Sequence, residues 1–173
     1  MNAVLDSLKT RRSIRKYKPE PITRQELDAV LEAGIYAPTA RGAQRACIVA
    51  VTDKADRDAI SRLNGAVMGN PNDPFYGAPT VCVVFADGTW PMAQKDGSLV
   101  MGNMLNAAHA LGLGSCWIDR AQQVFETEEG KALMKKWGVP EEYVGVGHCI
   151  LGYPDGEPME AKPRKEGYII YAE

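Results

Sequence analysis

The sequence contains no CxxC pair, no GxGxxG fingerprint, no Walker A phosphate loop, no HExxH and no GxSxG. These gaps remove the usual sequence routes to zinc sites, dithiol redox chemistry, P-loop nucleotide binding and serine hydrolysis. Its four cysteines, Cys47, Cys82, Cys116 and Cys149, are scattered, each within or beside an apolar run. Free cysteine behaves there as a small buried hydrophobe, and the cytoplasm is the expected compartment. Histidine is scarce too. His109 lies within a helical pattern and reads as a hydrogen-bonded interior or boundary residue. His148 and Cys149 are adjacent in a strand pattern, where neighbouring side chains point to opposite faces and cannot share a metal.

Long apolar runs are missing as well. A segment such as Thr80 to Ala86 is far short of the ~20 residues that a membrane-crossing helix needs. Asp6 interrupts Val4, Leu5 and Leu8, so no signal-peptide core is expected. A net charge of -2 and a pI near 5.8 leave no basic face for nucleic acid. Two glycine runs, Gly112-Leu113-Gly114 and Gly145-Val146-Gly147, fail the dinucleotide test, because neither lies between a strand and a helix that it opens. No paired acids and no nucleophile with a base stand out. An enzyme of this sequence would take its chemistry from a bound cofactor.

Against this background the basic stretch Arg11-Arg12-Ser13-Ile14-Arg15-Lys16-Tyr17 is conspicuous. A solvated helix end accounts for it, since cations favour the last turn. So does an anion site, in which arginine forks and a serine hydroxyl surround phosphate oxygens. A second basic patch, Lys162-Pro163-Arg164-Lys165, favours the anion site, because it can converge on the same group.

Periodicity predicts a short helix over 2–10 and an extended linker at Pro19 and Pro21. A helix opens with the capping box Thr23 to Glu26 and frays near Gly34. Residues 37–45 read as a small-residue loop and 46–51 as a buried strand. Asp53 caps a helix reaching Met68, residues 69–74 form a loop, and 81–85 are a central strand. The longest helix spans 92–111, with Leu99, Met101, Met104, Leu105, Ala108 and Leu111 as its apolar set. A short strand follows at 115–118, then a helix from Thr127 or Glu128 to Trp137 and a strand at 144–151. The apolar tail Tyr168-Ile169-Ile170-Tyr171 is expected to pair with a sheet edge, on a partner subunit if not its own. The predicted class is α+β, helices layered on a sheet around one long core helix.

Several of these stretches, in this order, resemble the FMN-dependent nitroreductase family. Arg11 to Tyr17 is similar to its RRSxRxF/Y opening, and Ala37-Pro38-Thr39-Ala40 with Gln44 to its APSxxxxQ loop. Gly77-Ala78-Pro79 introduces a strand as in the family, Asp96-Gly97-Ser98 matches a helix start, and Asn103 to Ile118 resembles its central helix and next strand. Lys162 to Lys165 resembles its C-terminal phosphate motif.

The resemblance implies a nitroreductase-like mixed β-sheet layered with helices, residues 1–173 forming a single FMN-binding domain, and a homodimer with FMN at the subunit interface. It implies that Arg11, Ser13 and Arg164 bind the phosphate with Arg12 and Lys162 nearby, and that Arg15 approaches the pyrimidine edge of the flavin. Pro38, Thr39, Ala40 and Gln44 would come from the opposite subunit, while Ile118 and Asp119 pass along the flavin with the Asp119 amide facing N5. The implied activity is a two-step exchange, NADH or NADPH giving hydride to N5 before a nitroaromatic, quinone or flavin accepts it. Two residues depart from the family pattern: Gly42 stands where asparagine is usual, and Arg120 where glycine commonly follows Asp119. The connection before the core helix is also short. These departures keep open a protein that stores or senses FMN without turnover, and a specialised dehalogenating or flavin-fragmenting enzyme on the same fold.

Overall fold

A computed structural model describes residues 2–172. Helix α1 (Ala3–Thr10) is capped by Asn2, whose side chain accepts from the Val4 and Leu5 amides, yet it buries none of its residues. Helix α2 (Arg24–Ile35) starts with the full Thr23–Glu26 capping box and buries Leu27, Val30 and Gly34. Strand β1 (Ala46–Val51) leads to α3 (Lys54–Met68), capped by Asp53 and ended by Gly69 in the left-handed region. Strand β2 (Thr80–Asp87) is buried along its whole length, as its unbroken apolar run from Val81 to Ala86 leads one to expect. Helix α4 (Ala93–Ala110), strand β3 (Gly114–Ile118), helices α5 (Ala121–Glu126) and α6 (Glu128–Trp137), and strand β4 (Tyr143–Gly152) follow in order.

The strands form one sheet in the order β1-β2-β4-β3, and every strand pair is antiparallel. The mixed character expected of the sheet is confined to one isolated parallel bridge, Ser13 to Ser115. Helices cover both faces. Val100, Met101, Met104 and Ala108 of α4 pack with Leu27 and Val30 of α2 against Cys82, Val84, Cys149 and Leu151. On the other face Ile60 and Leu63 of α3, Val124 and Phe125 of α5, and Leu133 and Met134 of α6 meet Val81, Val83, Phe85 and Ile150.

Helix α4 is the core helix, but only over part of its surface: Leu99 and Leu111 remain 48% and 45% exposed. The short helix α5 has no counterpart in the sequence reading, because neither proline, glycine nor a side-chain cap marks its start. The apolar tail pairs with no strand of its own chain among the described residues, and its side chains from 156 to 172 are exposed. No helix among those residues is long and apolar enough to cross a membrane.

The glycines at 145 and 147 have a packing role. The β2–β4 register shifts between Val84, opposite Gly147, and Phe85, opposite Gly145, so Val146 is the extra residue of a β-bulge. A Cβ at Gly145 would lie 2.6 Å from the Ala121 carbonyl, and one at Gly147 would lie 2.8 Å from the Trp117 ring. Backbone cannot step aside as a side-chain tip can. Gly145→Ala is therefore expected to lower unfolding free energy by about 1–3 kcal/mol in urea titration, without altering the fold.

Candidate functional site

The basic stretch is laid against the sheet by its own backbone. Ser13 bridges Ser115, and the Ile14 amide donates to the Ser115 carbonyl at 2.9 Å. Tyr17 bridges Pro154, the Lys18 amide donates to Tyr153, and the Asp155 amide donates back to Lys16. A Lys16–Asp155 ion pair at 2.8 Å closes the seam. Buried Tyr17 anchors it, its hydroxyl donating to the Ile14 carbonyl at 2.7 Å. Burial pushes this phenol far above its ordinary pKa, so it stays a neutral donor.

The side chains along this seam differ. Arg12 folds back on α1, its Nη1 donating to the carbonyls of Lys9 and Arg11 at 2.8 and 2.7 Å. The side chains of Arg11, Ser13 and Arg15 have no protein hydrogen-bond or ion-pair partner among the described residues and remain available to a ligand. Among the described residues Arg164 donates only to the Lys162 carbonyl, at 2.7 Å. Residues 153–155 run beside 16–18. Within the described residues no hydrogen bond or ion pair ties Lys162 or Arg164 to Arg11, Arg12, Ser13 or Arg15.

Strand β3 is an edge strand, and its outer edge is where these residues lie. Backbone groups of an antiparallel strand alternate in direction. Ser115 turns its carbonyl outward to Ile14, whereas Ile118 turns its carbonyl inward, accepting from His148 Nδ1 at 3.2 Å. In a trans peptide the next N–H points the opposite way, so the Asp119 amide faces out along the same edge as Ser13. That amide has no protein acceptor among the described residues. The Asp119 carbonyl accepts from Asn64 Nδ2 at 2.8 Å, and Arg120 Nε donates to Asn64 Oδ1 at 3.1 Å.

The loop from Pro38 to Gln44 is held at the end of α4. The Gln44 amide donates to Thr39 Oγ1 at 3.0 Å. The Ala40 amide and the Trp90 indole N–H each donate to the carboxylate of Asp96 at 3.0 Å. Asp96 is a buried acid that the sequence marks only as a helix start; the tertiary contact gives it its role. Asp96→Ala would leave both donors without an acceptor. The expected loss is about 1–3 kcal/mol for each orphaned donor, read by thermal unfolding together with a change in Trp90 fluorescence.

Both departures from the family pattern sit at left-handed backbone. Gly42 has φ +62 and Arg120 has φ +72. Glycine and asparagine are the residues that adopt this region most readily, so Gly42 meets the same backbone demand as asparagine. Arg120 bears a Cβ cost that its bond to Asn64 offsets. His109, read as a boundary residue, lies 2.8 Å from Thr10 Oγ1 and ties α1 to α4. Among the described residues no cluster of histidine, cysteine and acidic side chains could hold a metal.

Comparison with known proteins agrees with this geometry. The profile of the Nitroreductase family matches residues 8–73 and 65–153. An FMN reductase [NAD(P)H] of Bacillus subtilis is 40% identical over 195 residues, covering 98% of this chain and 76% of its own. An NADPH-flavin oxidoreductase of Vibrio harveyi is 27% identical over 194 residues, covering 100% of this chain and 74% of its own. A nitroreductase with bound FMN from Bacteroides fragilis superposes with a TM-score of 0.92 at 30% identity, over 100% of both chains. With the family profile spanning both sheet faces and the basic seam, this chain belongs to the nitroreductase family.

Proposed function

We propose that residues 1–173 act as a single FMN-binding domain of a homodimeric NAD(P)H oxidoreductase that reduces small acceptors such as nitroaromatics, quinones or flavins. The observation that carries this reading is the outer edge of β3. It sets unpartnered Arg11, Ser13 and Arg15 at one end and the unpartnered Asp119 amide at the other. Ser115, beside Ser13, and Asp119 are four residues apart, roughly 13 Å of extended chain. A phosphate at one end and an acceptor nitrogen at the other suit that donor set. When bound, FMN supplies hydride exchange at N5 between the nicotinamide and the acceptor.

In this reading Arg11, Ser13 and Arg164 hold the phosphate, with Arg12 and Lys162 adding positive charge nearby. Arg15 places a cation at the pyrimidine edge, favouring the negative charge that builds there on reduction. Ile118 and Asp119 run along the ring, and the Asp119 amide donates toward N5. Pro38, Thr39, Ala40 and Gln44 reach the cofactor from the partner subunit. No side chain of this chain is assigned as a general acid.

Exposed apolar surface supports the homodimer. Val4, Leu5 and Leu8 of α1, Ile35 and Tyr36 at the end of α2, and Leu99 and Leu111 on or beside α4 are all exposed. Helices α1 and α2 both pack on α4, and exposed apolar side chains on adjoining helices suit an interface. The apolar tail completes that surface by pairing with the partner. Cytoplasmic location fits the four unpaired cysteines.

Anaerobic titration of the purified, FMN-loaded protein with NADH and NADPH tests the activity. The visible flavin band is expected to bleach with at least one of them and to return on adding menadione. A band that persists through both titrations rejects the oxidoreductase and leaves a protein that stores or senses FMN.

A further inference from the structure

A polar group lies inside the molecule where no family motif reaches. Asn64 of α3 is fully buried, as is His148 of β4, and both bond the backbone just past β3. His148 sits between Phe75 and Phe125, with ring centroids 5.2 and 6.0 Å away. Because its Nδ1 faces the Ile118 carbonyl, that nitrogen carries the proton. The 3.5 Å approach of Asn64 Nδ2 to the same nitrogen then brings two donors side by side and is not a bond. Nε2 is left buried without a partner among the described residues.

The bonds on this backbone are consecutive. The Ile118 carbonyl is fixed by His148, the Asp119 carbonyl by Asn64, and the side chain of Arg120 by Asn64 again. Each inward carbonyl turns the following N–H away from the core. A left-handed φ at Arg120 is costly for a residue with a Cβ, and it persists because the same asparagine holds both sides of it. Neither the Asp119 nor the Arg120 amide finds a protein acceptor among the described residues. Two adjacent donors thus leave a rigid base on the side away from the core, the Asp119 amide along the outer edge of β3 and the Arg120 amide away from α3.

We propose that Asn64, Arg120 and His148 are positioning residues that aim the Asp119 and Arg120 amides at the flavin ring and so set its redox poise. Asn64 is the hinge of the set, since it alone bonds both Asp119 and Arg120. This rests on the FMN reading above. It goes beyond that reading by assigning the geometry at the ring to buried residues of α3 and β4 that do not touch the cofactor.

The test is Asn64→Leu, which keeps the branching at Cγ but cannot bond either neighbour, read in the FMN-loaded protein by visible spectrum, midpoint potential and FMN titration. Expected are a displaced flavin band, a changed potential and a dissociation constant raised about tenfold, the scale of one lost hydrogen bond. Adding Arg120→Gly to Asn64→Leu is expected to return spectrum and potential toward wild type, because glycine takes φ +72 without help from Asn64. A purely structural loss in the core would not be rescued by a change on the far side of the turn. Should Asn64→Leu not fold, Arg120→Ala cuts the same bond from the exposed side and is expected to displace the band in the same direction. Unchanged spectrum and potential in the folded variants, or no rescue by Arg120→Gly, overturns the proposal. A wild-type protein that takes up no FMN overturns the cofactor reading itself, whatever the variants do.

Discussion

The double substitution Leu5→Glu with Leu8→Glu is expected to give a folded, colourless monomer. Helix α1 buries none of its residues in its own subunit, and these leucines are each 52% exposed. The fold therefore has little to lose. A homodimer has much to lose: complete burial of a leucine contributes about 1.5–3 kcal/mol, and two-fold symmetry applies each substitution twice. With about half of each leucine left for a partner to cover, the four positions lose roughly 3–6 kcal/mol of apolar burial, and the four carboxylates add a desolvation cost. FMN would be released with the partner, since the Pro38 to Gln44 loop that completes its site belongs to the second subunit in our reading. Light scattering and the absorbance of the eluted peak measure both effects, and far-UV circular dichroism checks the fold. A coloured dimer carrying both substitutions would remove α1 from the interface.

Lowering pH from neutrality to about 4.5 is expected to destabilise the protein through His148. Burial holds this imidazole neutral and pushes its pKa down to about 4 from an ordinary 6.5. Above pH 6.5 the residue is neutral in the folded and unfolded chain alike and does not affect the balance. Between about 6.5 and 4 the unfolded chain binds a proton that the folded chain refuses, so stability falls with pH in that window. The full effect is about 3 kcal/mol, most of it present by pH 4.5. Urea titrations across the window measure it against His148→Asn, which keeps a donor for the Ile118 carbonyl but cannot titrate. The variant is expected to be less stable at pH 7, from lost packing, yet to show a flatter slope. Acids held below their usual range, such as Asp56 with Lys136 and Trp137, also lose stability as pH falls. They do so equally in both proteins and cancel in the difference.

Much of the architecture was legible because it is local. The Thr23–Glu26 box, the Asp53 cap and the unbroken apolar run of β2 each fix their element within a few residues. The basic stretch from Arg11 to Tyr17 is likewise conspicuous from its charge pattern alone, whereas the roles of Arg11, Ser13 and Arg15 within it come from the family resemblance. Helix α5 was not legible, since its start at Arg120 depends on a left-handed residue held by Asn64, a partner 56 positions away. Leu99 and Leu111 read as core by periodicity and proved exposed. Periodicity reports that a face is apolar, and it cannot say whether a strand or a second subunit covers it.

What the chain settles by itself is most of its elements, the clustering of basic residues at 11–16 and 162–165, and its family, because these follow from neighbours in sequence and motifs kept in order. Only the tertiary structure decides that Asp96 anchors the Ala40 loop, that Gly145 and Gly147 flank a bulge, and that Asn64 and His148 hold the backbone beyond β3. A buried amide or carboxylate acquires its role from the donor or acceptor that folding brings within about 3 Å, and no spacing along the chain encodes that meeting.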